Sequence, residues 1–205
     1  MHIVAENLER KFRKEYIFQN FSYTFHSENS YAITGPNGSG KSTLMKILST
    51  YSLPTKGSLK VFNETKELIN PDHQHQYISF AAPYTQLIEE FTLEELIDFI
   101  LPLNYIPNTY SIQKFEEFIE LKPDRNKYIQ NYSSGMRQKI KLGLALISNR
   151  PILLLDEPCT NLDRHAKNWF FKKLSENENK LIIIASNEEE EINFCKNQLS
   201  ILDFK

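Results

Sequence analysis

The chain has 205 residues, of which 40% are hydrophobic and 24% charged, an ordinary globular composition long enough for one large domain or two small ones. A formal net charge of −2 excludes a strong global pull toward nucleic acid or an acidic membrane surface. The two cysteines, Cys159 and Cys195, make neither a disulfide framework nor a metal cluster and point to a reducing compartment.

No apolar run reaches the roughly 18 residues a membrane span needs, and the first twelve residues carry charges where a signal peptide would be apolar. The expected location is therefore cytoplasmic, with any membrane role exercised through a partner.

Taken in order, His2 to Leu8 reads as a strand, Arg10 to Glu15 as a charged turn holding Phe12, and the alternating Phe21-Ser22-Tyr23-Thr24-Phe25 as a half-buried strand. Tyr31 to Thr34 is a short apolar strand. It feeds Gly35-Pro36-Asn37-Gly38-Ser39-Gly40-Lys41-Ser42-Thr43, the phosphate-loop pattern G-x-x-x-x-G-K-[ST]. Three of the chain's six glycines fall in this window. Glycines let the backbone wrap an anion with its N–H groups inward, Lys41 supplies a point charge for the β- and γ-phosphates, and Ser42 offers a hydroxyl to Mg²⁺. A helix over 41–50, with Leu44, Ile47 and Leu48 at helical spacing, adds its positive end.

After Pro54 and Gly57, Ser58 to Phe62 is a strand, and residues 63–77 read as a polar loop. His73 and His75 in it are a solvated pair rather than a metal site, since no third ligand type clusters nearby. Ile78 to Ala82 is a buried strand ended by Pro83. Thr92 to Ile100 is a helix with Thr92 as cap and Glu95 three residues on, and Pro102 ends it. Ser111 to Leu121 and 135–148 are further helices. Ile152-Leu153-Leu154-Leu155 is too short for a helix and suits a fully buried parallel strand. A helix over 163–174, a buried strand over 181–185, a short acidic helix over 188–194 and a last strand over 198–203 complete the chain.

Asp156 and Glu157 follow the buried strand 152–155. Two adjacent carboxylates with different partners suit a Mg²⁺ holder (Asp156) and a base that polarises water (Glu157), although a strand end with solvated acids is equally compatible. Ser133-Ser134-Gly135 before a periodic helix is, by itself, an N-cap. Phe12 alone could equally be minor core.

Together, GPNGSGKST, YSSGM, ILLLDEP and NLD, in this order and spacing, resemble the ATP-binding subunit of an ABC transporter, and the resemblance covers nearly the whole chain. It implies an α/β fold: a P-loop NTPase core of mainly parallel sheet flanked by helices, with an N-terminal antiparallel β subdomain and an inserted α-helical subdomain. Residues 1–83 and 149–205 would form the nucleotide-binding core and 84–148 the insert, all within a single ATP-binding domain. The implied cofactors are ATP and Mg²⁺, the latter held by Ser42 and Asp156. Ser133, Ser134 and Gly135 would cap the nucleotide of a second copy or a related chain, Asp163 would lie in the dimer-contact loop, and Phe12 would stack on adenine.

Two positions depart from the family pattern. Pro83 stands where the family has a glutamine that touches Mg²⁺ and the attacking water; either Gln86, three residues later, substitutes through a different loop path or the contact is lost. Asn187 stands where the family has a histidine on the γ-phosphate, and an amide cannot carry its charge. Slower turnover is expected. The leading function is an ATPase that drives or gates a multi-span membrane permease, placed on the inner face of the membrane, with no nucleic-acid partner. The other readings are a slowly hydrolysing regulatory module and a soluble non-transport protein of the same type. The docking surface is expected at 84–110, from Leu87, Ile88, Phe91, Tyr105 and Ile106.

Overall fold

The computed structural model describes residues 1–27 and 29–205. The chain forms two compact units: residues 1–80, 151–157 and 178–205 in the first, 81–150 and 158–177 in the second.

The first unit holds two sheets. Strands β1 (His2–Phe12), β2 (Glu15–His26) and β4 (Lys56–Phe62) make an antiparallel sheet in the order β2-β1-β4. Strands β3 (Ser30–Thr34), β5 (Ile78–Ala81), β6 (Ile152–Asp156), β7 (Leu181–Ala185) and β8 (Asn197–Ser200) make the second, in the order β5-β6-β7-β3-β8. Pairs β6/β7, β7/β3 and β3/β8 are parallel. Every residue of β6 and β7 is buried, as unbroken apolar runs with both faces covered require. Helix α1 (Lys41–Leu48) follows β3 and buries Leu44, Met45, Ile47 and Leu48 in the same apolar cluster as Phe18, Phe21, Phe25 and Ile183. Helix α6 (Glu189–Phe194) follows β7.

The structure revises the first hairpin. Residues 10–12 and 15–18 are paired strand rather than a charged turn, and the turn is Arg13–Lys14 alone. The charges face outward, with the Arg10 guanidinium 4.6 Å from the Phe12 ring and the Lys11 ammonium 4.8 Å from the Tyr16 ring. Alternation fails in the sequence because the register shifts between Leu8 and Arg10 and again between Arg10 and Lys11. Two other spans differ in type. Pro71–Tyr77 is a 3₁₀ helix inside the expected loop, started by Asn70 accepting from the Asp72 N–H. Ile201–Phe204 is a 3₁₀ turn where strand was expected.

The second unit is helical: α2 (Leu93–Ile100), α3 (Ile112–Phe118), α4 (Ser134–Ile147) and α5 (Arg164–Ser175). Thr92 and Glu95 form the expected capping box on α2, and Ser111 caps α3. Helix α5 belongs to this unit, whereas the sequence reading kept 149–205 with the core. Trp169 is the reason. Its Nε1–H donates to the Phe118 carbonyl at 2.8 Å, and the Lys139 ammonium lies 4.8 Å from its ring.

The expected docking groove is not an exposed apolar surface. Ile106 is fully buried, while Leu87, Ile88, Phe91 and Tyr105 are half-buried. Phe91 packs edge-on to Phe99, and the Arg150 guanidinium lies over Tyr105. Phe91, Tyr105 and Ile106 are thus engaged within the unit.

Candidate nucleotide site

The residues singled out in the sequence fall into two groups, one in each unit. In the first unit, β3 ends at Thr34 and the chain enters the loop 35–40 before α1. Gly40 is the helix's N-cap at φ 107° with no side-chain cap, and no acidic residue stands in the first turn. The first N–H groups of a helix have no intrahelical partner, so this end presents donors and a positive dipole to the loop's interior. A Cβ on Gly40 would lie 2.5 Å from Ile17 Cγ2, and one on Gly35 2.8 Å from Ser39 Oγ, so close approach as well as backbone freedom demands glycine.

Lys41 is 4% exposed. Its ammonium donates to the Gly35 carbonyl at 2.6 Å, the Asn187 Oδ1 at 3.2 Å and the Pro36 carbonyl at 3.4 Å. Burial lowers its pKa, opposed by the nearby carboxylates of Glu157 and Asp156. Asn187 also donates from Nδ2 to Asn37 Oδ1 at 2.7 Å. Asn187 thus lies beside the loop although it stands 146 residues from Lys41 along the chain. Ser39 Oγ is buried and has no hydrogen-bond partner among the described residues. A glycine cradle, an uncapped helix end, an orphaned hydroxyl and a buried cation fit a bound polyphosphate.

Asp156 is the last residue of β6 and 1% exposed. Glu157 has φ 45° and donates its N–H to the Ala185 carbonyl at 2.9 Å. The left-handed step turns the chain between the two acids, leaving Asp156 buried and Glu157 partly open. Ser42 and Thr43 are half-exposed in the first turn of α1, and Pro36, Asn37 and Gly38 are exposed at the loop's rim. Phe12 is 51% exposed, with Arg10 over its ring, and so is not core.

In the second unit, Ser133 accepts from the Met136 N–H at 3.2 Å and caps α4. Ser134 is exposed beside it, and a Cβ on Gly135 would sit 3.1 Å from the Asn161 carbonyl. Asp163 caps α5 through the Ala166 N–H at 2.8 Å. Gln86 is exposed and, with Ser134, Arg137, Lys141 and Asn161, lines a polar hollow of about 240 Å³. Residues missed in the sequence stand here too. Gln138 is buried and donates to the Pro158 carbonyl at 2.8 Å, and Arg137 and Lys141 hold backbone carbonyls. In the sequence Arg137 and Lys141 stand only as two cations four residues apart on one helix face, with nothing to mark the carbonyls they hold.

A parallel sheet that delivers a glycine-lined phosphate loop and an Asp-Glu pair at its strand ends defines a P-loop nucleotide-binding protein. The model of the ABC transporter family matches residues 18–160, and the chain belongs to that family. ATP with Mg²⁺ is the ligand pair of its cassettes. An uncharacterized ABC transporter ATP-binding protein of Bacillus subtilis is 28% identical over 91% of this chain and 85% of its own length. A probable ABC transporter ATP-binding/permease protein of Haemophilus influenzae is 30% identical over 97% of this chain, which spans 38% of that longer protein. Among solved structures, a putative ABC transporter ATP-binding protein from Pyrococcus furiosus superposes with TM-score 0.81 at 22% identity, covering 100% of both chains. An ATP-binding cassette solved as a dimer in a post-hydrolysis state with ADP and Pi gives TM-score 0.83 at 21% identity, over 97% of this chain and 93% of that one. The last two likenesses bear on the fold.

Proposed function

We propose that the chain binds and hydrolyses ATP and that closure of two such chains on nucleotide drives or gates a separate membrane-spanning permease. The observation that carries this reading is the Lys41 ammonium, buried over the loop on neutral oxygens with two carboxylates as its charged neighbours. Carbonyl and amide oxygens are modest partners for a buried cation, and a triphosphate outcompetes them.

Lys41 then moves from Gly35 and Asn187 to the β- and γ-phosphates, and the amides of 35–43 hold the rest. Ser42 and Asp156 would hold Mg²⁺, which neutralises charge on the phosphates. Glu157, half-open and turned away from Asp156, polarises the attacking water. Phe12 offers an exposed face for adenine. Ser133, Ser134 and Gly135 of one copy would close on the nucleotide of the other, with Asp163 at the contact. Zinc import and Nod factor export proteins among the relatives support a transport role without fixing its direction. Among the described residues no helix is long and apolar enough to cross a membrane, which suits the division of labour with a permease.

Glu157→Gln tests the enzyme. The variant should keep ATP, stop turning over and elute as a dimer in ATP and Mg²⁺. Elution as a monomer at millimolar ATP, with turnover unchanged, would overturn the reading. A second reading, a slowly hydrolysing regulatory module, draws on Asn187. Both ends of its amide are already engaged, by Asn37 and Lys41, and it brings no ionisable proton to the γ-phosphate.

A further inference from the structure

Helix α4 carries Arg137 and Lys141 one turn apart, and both hold backbone carbonyls of neighbouring loops. The Lys141 ammonium donates to the carbonyls of Ala82 at 3.2 Å, Pro83 at 3.4 Å and Thr85 at 3.2 Å. An ammonium has three N–H donors, and three acceptors claim them. Lys141 is thus committed to the backbone and has no donor left for a ligand. Thr85 closes the same turn, its Oγ bonding the Ala82 N–H at 3.2 Å and the Ala82 carbonyl at 2.8 Å.

The next segment is tied as well. The N–H groups of Ile129 and Gln130 donate to the carbonyls of Phe91 and Glu89 at 2.9 and 3.0 Å. Arg137 Nη1 donates to the Gln130 and Tyr132 carbonyls at 3.1 and 2.9 Å, and Glu89 lies 3.9 Å from its Nε. Two ties therefore meet on α4: Lys141 holds the turn after β5, and Arg137 holds 130–132, which is itself bonded to 89–91.

We propose that Lys141 is a positioning residue for the ATPase: it fastens the 82–85 turn to the helix that Ser133 caps, so that Gln86 and Ser133–Gly135 are presented as one piece. The proposal rests on the ATPase reading above. It also accounts for Pro83. Proline donates no N–H and has no polar side chain, yet its carbonyl is one of the three that Lys141 holds, so the turn is anchored through acceptors alone. Burial lowers the Lys141 pKa, with Arg137 lowering it further and Glu89 raising it.

The test uses the full-length chain with Lys141→Met and Lys141→Arg. Hydrogen exchange by mass spectrometry should rise in 82–87 for Lys141→Met while the peptides around 35–48 stay unchanged. The kcat for ATP should fall about 10- to 100-fold, the usual cost of a group displaced by about 1 Å, with KM and the affinity for a fluorescent ATP analogue within about twofold. Lys141→Arg should recover most of the kcat, since guanidinium can reach the same carbonyls. Unchanged exchange in 82–87, or KM and kcat moving together with a general loss of melting temperature, would overturn the proposal. If the wild-type chain neither binds nor splits ATP, the ATPase reading fails, while the exchange comparison still decides whether Lys141 holds the turn.

Discussion

Replacing Lys41 by methionine separates what this side chain does for the fold from what it does for nucleotide. Methionine keeps the length and the apolar stem and removes the charge. In the free protein the ammonium makes one short bond, to Gly35 at 2.6 Å, and two longer ones at 3.2 and 3.4 Å. Each is worth on the order of 1 kcal/mol net. Against that gain stands desolvation, which is large enough to lower the pKa despite Asp156 and Glu157 nearby. The acceptors released belong to the loop's rim, where water replaces the amine. The two effects nearly offset, so unfolding free energy should change by less than about 1 kcal/mol, or roughly 2–4 °C in melting temperature for a chain of this length. Nucleotide binding has no such offset. Losing one charge-assisted hydrogen bond to phosphate removes about 1.5–3 kcal/mol, or roughly 10- to 150-fold in Kd. Titration of a fluorescent ATP analogue with Mg²⁺, beside scanning fluorimetry without nucleotide, reads both quantities. An affinity within threefold of wild type in a fully folded variant would refute the reasoning, because the phosphate would then not lie where Lys41 points.

Asn187→His should raise steady-state ATP turnover several-fold in assembled protein, since an imidazole can donate to the γ-phosphate and still reach Lys41 or Asn37; an unchanged rate would show that the amide is not what limits it. Gly143→Ala sets helix propensity, a gain of about 1 kcal/mol, against overpacking at about 1–3 kcal/mol. The new Cβ would meet Ile119 Cγ2 below contact distance and the Phe115 ring at 3.2 Å, both side chains wholly buried, so overpacking wins and denaturant melts should show net destabilisation. Burial pulls the Lys180 amine down to about 8 from the ordinary 10.5. Between those values the unfolded chain binds more protons than the folded one, so this residue makes stability rise with pH from about 8 to 10.5. Comparing wild type with Lys180→Met isolates the effect. The variant should lack that part of the rise, and parallel stability curves across the window would contradict it.

Part of this molecule is legible in its sequence because the information is local. The phosphate loop is nine consecutive residues, the α2 cap is Thr92 and Glu95 three apart, and β6 and β7 are unbroken apolar runs. The hairpin at 10–18 was misread because two shifts of register spoil the alternation and because charge there faces solvent on a strand as readily as on a turn. Lys141 was passed over because its partners are backbone carbonyls some 56 to 59 residues away, and a carbonyl leaves no mark in a sequence.

Asn187 lies between these cases, and the sheet explains why a residue so distant from the loop could still be placed beside it. Ile33 of β3 pairs with Ala185 of β7, and Ala185 pairs in turn with Asp156 of β6. Gly35 and Asn187 each stand two residues beyond that line, and Glu157 stands one beyond it. Three adjacent parallel strands thus deliver the loop, the amide and the two acids at one edge, the carboxyl ends where ligands of open α/β sheets bind. The register is held by five buried side chains of β7, Leu181 to Ala185. A slip by one residue would put Ser186 level with Gly35 and reverse the faces of all five, so the apolar run that looks merely structural is what sets Asn187 against Lys41.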